Sequence, residues 1–186
     1  MSEEINTSTK KSRTDLFQSI GTVLALLISI IAMFSSIYQT NIMKTEQNAM
    51  VWPYLDITQL TNQEGFEFEI SNKGTGPAIV TSVQVDYNNI PVENMDVLLD
   101  SLNPNRTFGY DILRNSTIGN QVLMSGERRI LFGLPYNDET RIVLENLDKI
   151  RMRISYKSVL DEYWFYDSKD GSHKKENFKA TTEFKN

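Results

Sequence analysis

The chain has 186 residues, a formal net charge of −5 and no cysteine. Its length leaves room for about one domain beside the N-terminal region. The absence of cysteine excludes disulfides, thiolate metal sites and cysteine nucleophiles. Charges balance within residues 1–50, so the negative charge lies in residues 51–186. A mildly acidic domain is a poor electrostatic match for nucleic acid, and we expect no nucleic-acid partner.

An uncharged, apolar stretch runs from Leu16 to Tyr38. As an α-helix it would be about 34 Å long, enough to cross a hydrocarbon core of about 30 Å. A cleaved signal peptide is the alternative, but the stretch is too long for one and no A-x-A-like site follows it. We predict an N-terminal tail at residues 1–15, a transmembrane helix (a signal-anchor) at 16–38, and the lipid bilayer as a partner.

The residues that flank this helix predict its orientation. Lys10, Lys11 and Arg13 precede it, whereas only Lys44 follows it closely. The positive-inside rule then predicts a single-pass protein of the cell (inner or plasma) membrane, with a cytoplasmic N-terminus and an extracytoplasmic domain. Residues 39–50 contain no proline or glycine, so the helix should continue as a stalk and end before Pro53.

Small side chains recur along one face of the predicted helix, at Gly21, Ala25, Ser29, Ala32 and Ser36. Such a ridge lets another helix approach closely, and this packing drives helix association in lipid. We interpret these five residues, the small-residue face, as a helix-packing face for another membrane protein or a second copy of the chain. The alternative is that small residues are simply common in such helices.

After Val51 the apolar pattern changes to the period of two that is typical of strands. We predict a mainly β fold, an Ig-like β-sandwich over residues 51–167 with one or two short inserted helices. Residues 138–147 fit either a short helix or a loop. The predicted strands lie at 51–57, 66–70, 80–87, 108–112, 126–134, 150–156 and 163–166, a helix at 93–102, and a frayed polar tail at 168–186.

Three blocks carry a resemblance to known proteins: VWPYLDI at 51–57, ISNKGTGPAIV at 70–80 and IRMRISYKSVLDEYW at 150–164. They resemble a pattern in uncharacterised bacterial membrane-anchored proteins with one N-terminal transmembrane helix. The resemblance implies an Ig-like or CARDB-like β-sandwich after the anchor. It implies no catalytic residues.

Aromatic residues concentrate at the two ends of the predicted domain, as Trp52, Tyr54, Tyr163, Trp164 and Tyr166. If the first and last strands are neighbours, these five residues could form an exposed interaction patch. The alternative is that they belong to the core.

No combination of residues predicts catalysis, a cofactor or a metal. The single histidine, His173, falls in the predicted tail, where a catalytic triad could not be held rigidly. We therefore expect a non-enzymatic, membrane-anchored interaction module, an accessory subunit of a membrane or envelope assembly. The alternative is an extracytoplasmic sensor that binds a small molecule or glycan and signals through a partner.

Overall fold

The computed structural model describes residues 5–63, 65–106 and 114–185. The strand predicted at 108–112 lies outside these residues. The chain divides into two units, Met1–Gln47 and Asn48–Asn186.

Helix α1 (Ile5–Met50) accounts for the first unit and extends a short way into the second. It begins well before Leu16, so much of the tail predicted at 1–15 is helical. Its large apolar side chains between Leu16 and Tyr38 are 41% to 74% exposed. By length and composition the helix is suited to span a membrane, with a mean hydropathy of 2.4 in its most apolar window.

Polar side chains within the apolar part of α1 bond to their own helix. The hydroxyls of Ser19, Thr22 and Ser29 each donate to the backbone carbonyl four residues earlier, at 2.8 to 2.9 Å. These hydroxyls therefore need no outside partner, which lowers the cost of placing them in a hydrocarbon environment.

The second unit is built mainly from antiparallel strands, joined by short helices. A four-stranded sheet contains, in spatial order, β1 (Leu55–Thr61), β2 (Gly65–Asn72), β7 (Arg128–Pro135) and β5 (Arg114–Asn115). A six-stranded sheet contains β10 (Ser172–Lys174), β9 (Tyr163–Asp167), β8 (Ile150–Lys157), β3 (Ala78–Tyr87) and β4 (Ile90–Val92), with β6 (Val122–Leu123) also pairing with β3. The helices are α2 (Met95–Leu102), α3 (Arg141–Leu144) and a 3-10 turn at Leu147–Lys149.

The strands predicted at 66–70, 80–87, 126–134, 150–156 and 163–166 are confirmed as β2, β3, β7, β8 and β9. The helix predicted at 93–102 is confirmed as α2, where the Asn94 side chain accepts a hydrogen bond from the N–H of Val97 and caps the helix. Residues 138–147, for which a short helix and a loop were the two alternatives, contain the short helix α3.

Both sheets and α2 contribute to one apolar core. Every second residue of a strand faces the same side, so the alternating apolar residues of each sheet gather on one face. Helix α2 adds three buried leucines. The largest fully buried side chains are those of Tyr156, Phe66, Phe132, Leu55, Ile70, Leu98, Leu99, Leu102, Leu123 and Ile154.

The prediction of a frayed tail after residue 168 is wrong. Strand β10 pairs with β9, and the Glu183 carboxylate accepts bonds from the Val83 N–H at 2.7 Å and the Ser82 hydroxyl at 2.8 Å. The N–H of Phe184 donates to the Val83 carbonyl at 2.9 Å. These contacts supply partners to the part of β3 between its pairings with β6 and β4, where peptide groups would otherwise be unpaired.

The first strand also differs from its prediction, since β1 begins at Leu55 rather than Val51. Residues 51–54 are held by a different set of bonds. The N–H groups of Thr75 and Gly76 both donate to the Trp52 carbonyl, at 2.9 and 3.2 Å. A Cβ on Gly74 would lie 2.3 Å from that same carbonyl oxygen, so only glycine permits this close approach.

The buried side chain of Asn72 joins these segments. Its amide nitrogen donates to the carbonyls of Gly76 and Leu123, at 2.8 and 3.0 Å. Its oxygen accepts from the N–H groups of Tyr54 and Gly74, at 3.2 and 3.0 Å. All four bonds that an asparagine amide readily makes are therefore formed without water.

Replacing Asn72 with aspartate should destabilise the domain strongly. The side chain keeps its shape, but a carboxylate cannot donate hydrogen bonds to the Gly76 and Leu123 carbonyls. The two carbonyls would lose their donor, and the carboxylate would be buried next to them. We expect Asn72→Asp to lower the free energy of unfolding by about 2–4 kcal/mol. Urea unfolding of the full chain in detergent, followed by tryptophan fluorescence, measures this.

Asn120 provides the matched control, because it is an exposed turn residue with a φ of 56° and aspartate also adopts this conformation. Asn120→Asp should change the unfolding free energy by less than about 0.5 kcal/mol. Equal effects of the two substitutions would contradict the role assigned to Asn72.

Candidate functional site

A cleft of about 840 Å³ opens in the second unit between β1 and the segment that leads into β8. Its volume falls within the range of about 300–1,000 Å³ that is typical of ligand sites. Half-buried and buried apolar side chains form its floor, and amide and charged side chains form its rim. The residues that line it are Ile57, Gln59, Phe68, Asn88, Asn89, Leu144, Leu147, Asp148, Lys149, Ile150, Arg151, Ser168 and Lys169.

The turn between β3 and β4 places two amides on this rim. Asn88 and Asn89 have φ angles of 52° and 64°, as the two central residues of a tight hairpin require. The N–H of Asn88 donates to the Lys149 carbonyl at 3.0 Å, which fixes the hairpin against the opposite side of the cleft.

One rim cation is neutralised within the fold. The Arg151 guanidinium makes a multidentate ion pair with the buried Asp167 carboxylate, with Nε–O distances of 2.9 and 3.1 Å. Burial opposes ionisation of Asp167, but the bonds from Arg151 and from the Lys169 N–H outweigh it and lower the pKa of that carboxyl. The hydrogen bonding between the Arg151 guanidinium and Asp167 also raises the pKa of Arg151.

The two rim lysines differ from Arg151. Lys149 Nζ donates to the Asn146 side-chain oxygen at 2.5 Å, which leaves its charge uncompensated. Lys169 is exposed, and within the described ranges neither lysine has a carboxylate within ion-pair distance. Among the described residues that line the cleft, Asp148 is the one acidic residue.

A second cavity lies in the core beside α2, with a volume of about 30 Å³. This is room for about one water molecule. Its lining is mainly apolar, including Val83, Leu98 and Phe184. It is therefore a packing defect and not a candidate ligand site.

The outer edge of β1 is partly covered by tyrosines of the other sheet. The Tyr156 hydroxyl accepts a bond from the Leu55 N–H at 3.4 Å. The Tyr166 hydroxyl bonds to the backbone of Ile57, while burial raises the pKa of both phenols. These contacts join the β1 edge to β8 and β9.

His173 completes this junction between the two sheets. Its ring stacks on Tyr54 with centroids 4.1 Å apart, and it contacts Tyr166 at 5.0 Å. Its Nδ1 lies 3.5 Å from the Tyr156 hydroxyl oxygen. Burial lowers the pKa of His173, partly offset by the nearby Asp56 carboxylate.

The predicted aromatic patch is divided by the fold. Trp164 and Tyr166 are buried, at 9% and 3% exposure, so they belong to the core and cannot form an exposed patch. Tyr54 and Tyr163 are half-buried, and Trp52 is 44% exposed. The fold does bring Tyr54 and Tyr166 close together, because both rings contact His173. The sequence analysis placed His173 in a frayed tail.

Exposed apolar side chains gather at the end of the domain that contains residues 48–54. Trp52, Met124 and Leu160 are 44%, 60% and 48% exposed. Their segments are in contact, because the Ser125 hydroxyl donates to the Gly74 carbonyl and the Asn48 amide donates to Glu162. This end of the domain therefore exposes a group of large apolar side chains, which is typical of a contact surface.

The small-residue face of α1 is exposed along its whole length. No atom lies within 4 Å of a Cβ built on Gly21, and the Ser29 hydroxyl is bonded to the Ala25 carbonyl. Because α-helical geometry places positions three and four apart on one side, the five predicted residues share a face.

A glycine-rich turn and a pair of acidic residues have ordinary structural roles. The N–H groups of the Gly74–Gly76 turn are bonded to Asn72 and Trp52 and cannot bind an anion. Asp161 pairs with Lys157 and Glu162 with Lys175, and among the described residues there is no group of three metal-ligating side chains.

The partly buried position of His173 predicts that the stability of the domain depends on pH. The folded state disfavours the imidazolium, so the pKa of His173 is lower in the folded than in the unfolded chain. The unfolded chain therefore binds more protons as the pH falls through about 6.5, and stability is lost in that direction. Replacing His173 with phenylalanine keeps the stacking and removes the titration.

We expect the wild-type chain to lose more unfolding free energy than His173→Phe between about pH 7.5 and pH 5.5. Urea unfolding at a series of pH values measures both slopes. Superimposable pH profiles would show that the imidazole does not titrate as this environment requires.

Comparison with known proteins gives a family and no described function. No curated protein and no solved structure matches the chain. The match to a family covers both the apolar part of α1 and almost all of the β domain. Residues 17–185 match the family described as Domain of unknown function (DUF8453), and the chain belongs to that family.

Proposed function

We propose that this protein is a non-enzymatic, membrane-anchored interaction module, an accessory subunit of a membrane or envelope assembly. The observation that carries the proposal is the continuous apolar surface of α1, whose large side chains are 41% or more exposed from Leu16 to Tyr38. A surface of this size and composition is unstable in water and favourable in a bilayer.

In this proposal, residues 16–38 span the cell membrane with the N-terminus in the cytoplasm, as Lys10, Lys11 and Arg13 favour. The two sheets pack face to face as an Ig-like β-sandwich on the extracytoplasmic side. Their shared core supports that architecture, and the resemblance to membrane-anchored Ig-like or CARDB-like proteins agrees with it.

The small-residue face of α1 recruits the helix of another membrane protein or a second copy of the chain. Close packing of small residues is a main source of helix association in lipid, and the Ser29 hydroxyl of this face is bonded within α1. The exposed apolar side chains around Trp52 and Met124 support further contact of the domain with a partner protein.

A second candidate, an extracytoplasmic sensor of a small molecule or glycan, is favoured by the cleft of about 840 Å³. Saturable binding of such a ligand to the full chain in nanodiscs would support it. In this alternative the sensor signals through a partner protein.

Bulky substitutions on the small-residue face test the proposed function. Replacing Gly21, Ala25 and Ser29 with leucine should keep the helix in the membrane and block close approach of a second helix. We expect a co-purifying partner, or a second copy with a different tag, to fall by at least about ten-fold in mild detergent.

The matched control replaces Val23, Ile30 and Ile37 with leucine, which changes exposed apolar residues outside the small-residue face. This variant should retain its partner. If both variants recover the same proteins as the wild type, the proposal that a partner helix packs on the small-residue face is wrong.

A further inference from the structure

The outer edge of β1 changes character along its length. The Lys73 N–H donates to the Tyr54 carbonyl and the Asn62 N–H to the Gly65 carbonyl, so even-numbered residues of β1 bond to β2. The N–H and C=O groups of odd-numbered residues then point away from the sheet. Leu55 and Ile57 are bonded there by the two tyrosines, whereas the edge at Gln59 and Thr61 is exposed.

The uncovered part of this edge borders the cleft. Gln59 lines the cleft beside Ile57 and Phe68, which supply an apolar floor. An exposed strand edge next to an apolar groove is the arrangement that accepts an extended peptide as an additional strand. The tyrosine contacts limit such pairing to the end of β1, so the added segment must be short.

The charges at the cleft select the chemistry of that segment. Lys149 and Lys169 lie on the rim, and Arg151 is paired with Asp167. Among the described lining residues, only Asp148 opposes the charge of the two lysines. This local excess of positive charge occurs in a chain of net charge −5. An acidic occupant is complementary to the rim, whereas the chain as a whole is negatively charged.

We propose that this cleft is where the protein binds its extracytoplasmic partner, and that it takes a short, extended, acidic segment of that partner by strand addition at Gln59–Thr61. The proposal rests on the proposed interaction function and specifies its site. Backbone bonding to β1 supplies affinity, the apolar floor takes an apolar side chain, and the two lysines contact the acidic ones.

Photo-crosslinking in native membranes tests the site. A photoreactive amino acid replaces Gln59 in the full chain, and in a second protein it replaces Val97, an exposed residue of α2 outside the cleft. We expect a discrete protein adduct from position 59 and none from position 97. The partner peptide attached to position 59, identified by mass spectrometry, should carry net negative charge.

Charge reversal tests the recognition chemistry. Lys149→Glu with Lys169→Glu should lower the adduct yield at least about ten-fold, whereas replacing both with arginine should preserve it. Lys174→Glu with Lys179→Glu makes the same change in net charge at exposed positions outside the cleft, and should leave the yield unchanged. Unfolding curves of the variants confirm that each is folded.

The outcomes separate this proposal from the function on which it rests. A partner that co-purifies with the full chain but forms no adduct at position 59 overturns the cleft and leaves the interaction function standing. A neutral or basic crosslinked segment, an adduct with lipid or a small molecule, or equal loss in both charge reversals also overturns it. If no partner co-purifies at all, both proposals fail.

Discussion

The four hydrogen bonds of the buried Asn72 amide determine how the chain enters its β domain. They hold residues 51–54 against the Gly74–Gly76 turn, so the first strand begins only at Leu55. From that start, Leu55 and Ile57 meet the tyrosines of the other sheet, and the last residues of β1 remain uncovered beside the cleft. The strand thus begins directly after the residue that Asn72 binds, and its outer edge has a part covered by tyrosines and an exposed part.

This arrangement gives the two halves of the proposed function separate structural bases. The apolar surface of α1 explains membrane anchoring without any contribution from the domain. The open edge of β1, the apolar floor at Phe68 and the lysines at 149 and 169 concern binding alone. Variants of the cleft can therefore be tested without altering the apolar surface of α1.

Local patterns of apolar residues predicted most of the strands and helices. They failed where contacts between distant parts of the chain determine where a strand begins. The alternation of Phe66, Phe68 and Ile70 identifies β2 because one face of that strand is buried. The displacement of β1 depends on Asn72, which lies far along the chain, and no local pattern contains it. By contrast, Asp170-Gly171 is a typical hairpin signal between β9 and β10, and Gly171 has a φ of 63°. It could have predicted β10 and the position of His173.

The candidate cleft could not be predicted, because its lining comes from many separate segments: β1, β2, the β3–β4 turn, α3, the 3-10 turn, the start of β8 and the residues after β9. Each contributes ordinary surface residues such as Gln59 and Lys169, whose meaning arises only when they lie together. The helix face differs: Gly21, Ala25 and Ser29 follow helical spacing, so the sequence alone suffices to place them on one side.

Cysteine accessibility tests the central claim most directly, since the natural chain contains no cysteine. Single cysteines are introduced at Val97 and at Thr7, and cells without an outer barrier are treated with a membrane-impermeant maleimide. The account predicts that Val97→Cys reacts in intact cells, and that Thr7→Cys reacts only after the membrane is opened. The reverse pattern, or equal labelling of both with release of the protein by alkaline washing, would contradict a membrane-anchored extracytoplasmic domain.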